Sequence, residues 1–128
     1  MSNTFTVTIT KEVSYNALWE AIWGSDGNGI TYWCPKIRNA EGKGIDLWLK
    51  GEREFDLVPN PQDFKVYDQY EEKWHLVTLD HLADAYRKAC EDKLHHCGTC
   101  EVSDLEDADA CTGDILIQLA VFGEVVYG

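Results

Sequence analysis

Long apolar runs are missing from this chain; nothing in it approaches the roughly 20 residues that a helix needs to cross a bilayer. Cations are scarce as well: 11 Lys and Arg stand against 23 Asp and Glu, giving a formal charge of −12. That imbalance speaks against direct nucleic-acid binding, which needs basic side chains to displace counterions from phosphates. It suits an acidic, well-solvated protein, or one that docks on a basic partner. Proline occurs only three times, and there is neither a linker nor an internal repeat. Catalytic signatures are absent too: no GxSxG, HExxH or Walker pattern occurs, so an enzyme would have to assemble a dispersed site from His75, His81, His95 or His96 and carboxylates. The opening residues Met1-Ser2-Asn3-Thr4 carry no charged-then-apolar signal pattern, and a cytoplasmic location is expected.

Cysteines number five, Cys34, Cys90, Cys97, Cys100 and Cys111. An odd count without a secretion pattern points to reduced thiols or metal ligation rather than a disulfide framework. What the chain does hold is apolar and aromatic mass: 128 residues, 45% of them hydrophobic, with five Trp. This suffices for one domain, residues 1–128, with its own core. The density of large rings also suggests an exposed aromatic anchor for a protein partner.

Periodicity predicts the elements. Residues 4–10 alternate Phe5, Val7 and Ile9 against threonines, a half-buried strand. Ser14 can cap a helix over Tyr15–Trp23, ended by Gly24 and a loop of turn formers. Residues 30–34 read as a strand stopped by Pro35, resuming over 36–38. Residues 45–49 and 54–58 suggest a hairpin around Lys50-Gly51. Phe64 and Val66, then Trp74 and Leu76, alternate as two further strands joined through residues 68–73. His75 falls opposite Trp74 and Leu76 and reads as a surface residue. Thr78 caps a helix whose stripe is Leu79, Leu82, Ala83, Tyr86, Ala89, Cys90 and Leu94, closed by His95-His96-Cys97-Gly98. Ser103 and Glu106 form a capping box for a last helix with stripe Leu105, Ala108, Cys111, Ile115, Leu119 and Phe122, and Gly123 as its stop. The expected fold is α+β: an antiparallel sheet of about five short strands, one short N-terminal helix, and two C-terminal amphipathic helices packed on one face.

Two constellations carry chemistry. Cys97-Gly98-Thr99-Cys100 has the spacing of a zinc knuckle, and Cys90, His95, His96 and Cys111 lie near enough to complete a tetrahedral set. The competing reading is buried thiols at Cys90 and Cys111, where free cysteine acts as a small hydrophobe. The second constellation is acidic: Glu101, Asp104, Glu106, Asp107 and Asp109 cluster at the start of the last helix. Its macrodipole favours them there, and the same charges would present a phosphate-like surface to a basic, nucleic-acid-binding groove.

The ending, Asp109-Ala110-Cys111-Thr112-Gly113-Asp114 and the run from Ile115 through Phe122-Gly123-Glu124-Val125-Val126-Tyr127-Gly128, resembles that of a group of small acidic proteins encoded by phages and prophages, notably of actinobacteria. The resemblance is specific over the last third of the chain and implies a phage setting, without assigning an activity or any site residue. With the charge and the aromatic content, it leads to the expectation of a phage-derived protein that binds a host protein and inhibits a bacterial defence system in the manner of an anti-CRISPR. The alternatives are a zinc-stabilised interaction module and an enzyme with a dispersed site.

Overall fold

The computed structural model describes residues 3–7, 10–23, 29–46, 59–96, 100–101, 105, 108 and 110–128. The first helix, α1 (Tyr15–Trp23), lies where its periodicity places it. Ser14 caps it, its hydroxyl accepting the Ala17 N–H at 3.1 Å, which satisfies one orphan donor of the first turn. Leu18, Trp19, Ile22 and Trp23 form its buried face.

Four short strands follow: β1 (Lys36–Arg38), β2 (Gly44–Asp46), β3 (Phe64–Asp68) and β4 (Lys73–Val77). They make one antiparallel sheet in the order β2-β1-β3-β4, so the described residues show four strands in the main sheet and not five. The β3–β4 hairpin matches expectation. Gly44–Asp46 also pairs back on β1 through a turn at Asn39–Lys43, a pairing that was not expected. Asn39 holds that turn by accepting the N–H groups of Glu41 and Lys43, and Gly42 supplies a φ of 84°. The expected partner run 54–58 lies outside the described residues.

Two other expected strands are not strands. Of the run 4–10, the described residues 4–7 and 10 join no strand, and Phe5 is 87% exposed. Alternation is a local pattern, but a strand exists only where a sheet edge accepts it. Residues 30–33 form a turn, with the Cys34 and Trp33 N–H groups both donating to the Ile30 carbonyl. The buried side chains are Ile30, Trp33 and Cys34. That is i, i+3, i+4 spacing, which a helical turn places on one side, and this spacing overrides the β-prone composition.

The second helix, α2 (Leu79–Glu91), buries Leu82, Ala85, Tyr86 and Ala89. Thr78 caps it in a reciprocal box: its hydroxyl accepts the His81 N–H at 3.1 Å, while its own N–H donates to His81 Nδ1 at 3.2 Å. The helix stops before the histidines, and His95–His96 forms a short strand, β5, paired with β6 (Cys100–Glu101).

The last helix, α3 (Ala110–Phe122), starts after its expected Ser103/Glu106 capping box; residues 102–104, 106–107 and 109 lie outside the described part, and Ala108 precedes the helix. Its buried positions are Thr112, Gly113, Leu116, Ile117, Gln118 and Leu119, while Cys111, Ile115 and Phe122 are half-buried. The predicted stripe thus lies largely on a flank. From Ile115 to Phe122 the helix is apolar nearly all round, so periodicity had no face to choose, and neighbours on several sides decide the matter. Those neighbours are α2, α1 and β4. The helical cover over the sheet therefore involves α1 as well: Trp19 and Trp23 meet Phe64 of β3 edge-on, with ring centroids 5.5 and 5.4 Å away. No helix among the described residues is long and apolar enough to cross a membrane.

Candidate functional site

The sheet has two unlike faces, and register decides which residue falls on which. Ile37, Phe64, Val66 and Val77 point into the core. Their neighbours in sequence therefore point away: Lys36 and Arg38 from β1, Lys65 and Tyr67 from β3, Trp74 and Leu76 from β4. Cross-strand pairing sets Lys36 beside Tyr67 and Tyr67 beside Trp74, with Lys65 next to Leu76. The Tyr67 and Trp74 rings meet at 5.3 Å and 52°. Arg38 reaches diagonally across β3 to place its guanidinium 4.3 Å from the Trp74 ring centroid, and Lys36 Nζ lies 5.9 Å from that of Tyr67. Each such cation–π contact contributes about 0.5–1 kcal/mol at an exposed site. Among the described side chains no carboxylate pairs with Lys36, Arg38 or Lys65, and the backbone register sets Asp46 of β2 opposite Lys36. Leu76 is 53% exposed at the end of this row. A chain of strongly negative charge thus carries a cationic, aromatic patch on three adjacent strands.

Behind the same hairpin lies a polar junction tied to the C-terminal tail. Gln118, fully buried on α3, accepts the N–H groups of Val126 and Tyr127, both at 2.8 Å, and donates to Asp114 at 2.9 Å. Asp114 also accepts from the Trp33 indole at 2.8 Å and from the Tyr32 hydroxyl at 2.6 Å. These bonds hold the Tyr127 ring stacked on Trp33 at 5.5 Å and aim its hydroxyl at Asp68 Oδ2, 2.8 Å away. Burial, then the hydrogen bond to Asp68, pushes the Tyr127 phenol up to about 12. The Tyr32 phenol is raised as well, by burial and then by Asp114.

Asp68 closes β3 and is fully buried; its Oδ1 accepts the N–H groups of Tyr70 and Glu71 at 2.9 and 3.2 Å. With Glu71 and His75 it offers three ligand atoms within 4.8 Å of one another. His75 was expected at the surface. The register instead sets it beside Val66 on the covered side, edge-on to Phe122 at 5.4 Å, with Nε2 buried and lacking a hydrogen-bond partner. Its place beside Val77 in the alternation was the available signal, since Val77 pairs with Phe64 in the core.

The described residues expected to ligate zinc lie on α2, β5, β6 and α3. Cys90 is exposed on α2, one residue round from the buried Ala89, and not on the buried stripe. It lines a groove of about 460 Å³ between the start of α1 and α2, with Lys11, Tyr15 and Tyr86. The Tyr86 phenol there is raised by burial foremost and accepts a hydrogen bond from Lys11 Nζ at 3.1 Å. Cys111 is half-buried in the first turn of α3. The β5–β6 ladder places His95 opposite Glu101 and His96 opposite Cys100 in backbone register. Cys97 lies outside the described residues, as do four of the five acidic-patch positions, Asp104, Glu106, Asp107 and Asp109. Cys34, by contrast, is fully enclosed, and burial pushes its thiol up to about 12.

No family model matches the chain, and comparison with curated proteins and with solved structures returns no match.

Proposed function

We propose that the protein acts by binding a protein partner through the open face of its four-stranded sheet. The observation that carries this reading is the row Arg38, Lys36, Tyr67, Trp74 and Leu76: cations set on rings, beside an exposed leucine. Aromatic residues and arginine are the side chains that most often dominate protein interfaces. The cations call for a partner surface rich in carboxylates at that contact. A single-stranded nucleic acid could also stack on such rings, but the net charge of −12 opposes it at long range.

The phage-like ending supplies the setting: a host protein as target, the host cytoplasm as the place, and inhibition of a defence system as the use. In that use the acidic segment Glu101, Asp104, Glu106, Asp107 and Asp109 is a second contact, offered to a basic, nucleic-acid-binding surface. Capture from an actinobacterial lysate across a salt series tests both. The double variant Lys36→Glu/Arg38→Glu should lose the specific partner. Neutralising the five acids should weaken capture and flatten its salt dependence. Unchanged capture by the sheet-face variant, or tight binding of a single-stranded oligonucleotide, would refute the protein-docking reading.

The zinc-module alternative draws on the ladder that sets His96 opposite Cys100. Metal analysis of protein purified without added zinc tests it, since a structural site retains one ion per chain.

A further inference from the structure

The β3–β4 hairpin carries a second candidate centre, on the covered side and away from the docking face. We propose that Asp68, Glu71 and His75 bind a divalent transition-metal ion, with zinc as the probe. Three observations converge. The buried Nε2 of His75 has no hydrogen-bond partner and lies 3.9 Å from Glu71 Oε2. In the tautomer protonated at Nδ1, that nitrogen has a lone pair to give, and it suits zinc, copper or nickel better than calcium or magnesium.

Asp68 is fully buried, yet among the described residues no Lys or Arg pairs with it. Its partners are neutral donors: two backbone N–H groups on Oδ1 and the Tyr127 hydroxyl on Oδ2. A buried carboxylate calls for a compensating positive charge, and a dication held between two carboxylates supplies it. The Tyr127 bond also orients the carboxylate from outside, as hydrogen bonds behind metal ligands commonly do.

Spacing fits as well. The three ligand atoms lie within 4.8 Å of one another, and tetrahedral zinc needs its ligands about 3.3 Å apart at bond lengths of about 2.0–2.1 Å. Glu71 is exposed in the turn and free to close the difference. Three protein ligands leave a fourth position for water or for a ligating group brought by a partner. Because Tyr127 is tied to Gln118, an ion here would clamp the hairpin to the C-terminal tail.

The test uses untagged full-length protein freed of metal by a chelator and titrated with zinc by calorimetry, then with cobalt(II) by visible absorption. Glu71→Gln and His75→Gln should each weaken zinc binding at least about 10-fold, and Tyr127→Phe should weaken it by about 10–100-fold. The double variant Cys97→Ser/Cys100→Ser should leave this binding intact. The cobalt spectrum should lack the intense near-ultraviolet bands of thiolate-to-metal charge transfer. Should His75→Gln fail to fold by circular dichroism, the exposed Glu71→Gln change still decides. Wild-type affinity in Glu71→Gln, or loss of binding in the cysteine variant, would overturn the proposal.

Discussion

Trp23 and Trp33 are both fully buried, but their indole nitrogens differ. Trp33 Nε1 donates to Asp114 at 2.8 Å, whereas Trp23 Nε1 has no partner. Replacement by Phe removes a satisfied donor in one case and an unsatisfied one in the other. Trp33→Phe should therefore cost about 1–3 kcal/mol more than Trp23→Phe in urea unfolding. The thiols divide in the same way. Cys34, enclosed and held protonated, should resist alkylation until the protein unfolds, while Cys90 reacts at once; peptide mapping after a short pulse of reagent would show it. Raised acids also set an alkaline limit. The Tyr127 phenol and the Cys34 thiol move from ordinary values of 10.0 and 9.0 to about 12. Both hold their proton more tightly folded than unfolded, so the stability they contribute is intact below those ordinary values and is lost as pH rises through them towards 12. The urea midpoint should fall over that window, and Tyr127→Phe should remove the tyrosine's share of the fall.

At the scale of elements, caps and turns were the most legible features. Ser14 and Thr78 cap the helices they were expected to cap, and Gly123, with a φ of 76°, stops α3. Thr78→Ala should cost about 1 kcal/mol, because it leaves the His81 N–H without its acceptor. The His81 half of that box was not foreseen, since a histidine is not the usual residue at that position. The β3–β4 turn holds Glu72 at a φ of 54°, a left-handed conformation that costs an L-residue about 1–2 kcal/mol. Glu72→Gly removes that cost against about 0.5–1 kcal/mol of added chain entropy, so it should raise the unfolding midpoint slightly. Strand pairing was the least legible feature. Residues 4–7 alternate as well as Phe64 and Val66 do, yet among the described residues only the latter run joins a sheet. Nothing in a local pattern states which edge will be free to accept it.

The whole molecule separates its charges unevenly. A cationic aromatic face occurs on an acidic chain, and the polar junction behind it joins β3, the turn at residues 30–33, α3 and the tail. Truncation after Gly123 should unlock that junction, because it strips Gln118 of two acceptor contacts and removes the ring stacked on Trp33. The expected result is a lower melting midpoint with loss of near-ultraviolet dichroism, while α1 and α2 persist.

What the chain determined by itself was local: the first helix and the start of the second with their caps, the β3–β4 alternation, the excess of acid, and the α+β class. These follow from side-chain spacing and from hydrogen bonds within a few residues, which act before any distant contact forms. Only the tertiary structure decided that residues 30–33 turn rather than extend, that α3 is enclosed on several sides, and that His75 faces inward to meet Asp68 and Glu71. Each of those depends on which distant surface arrives to cover an apolar or polar group, and the free energy of burial exists only once that surface is in place.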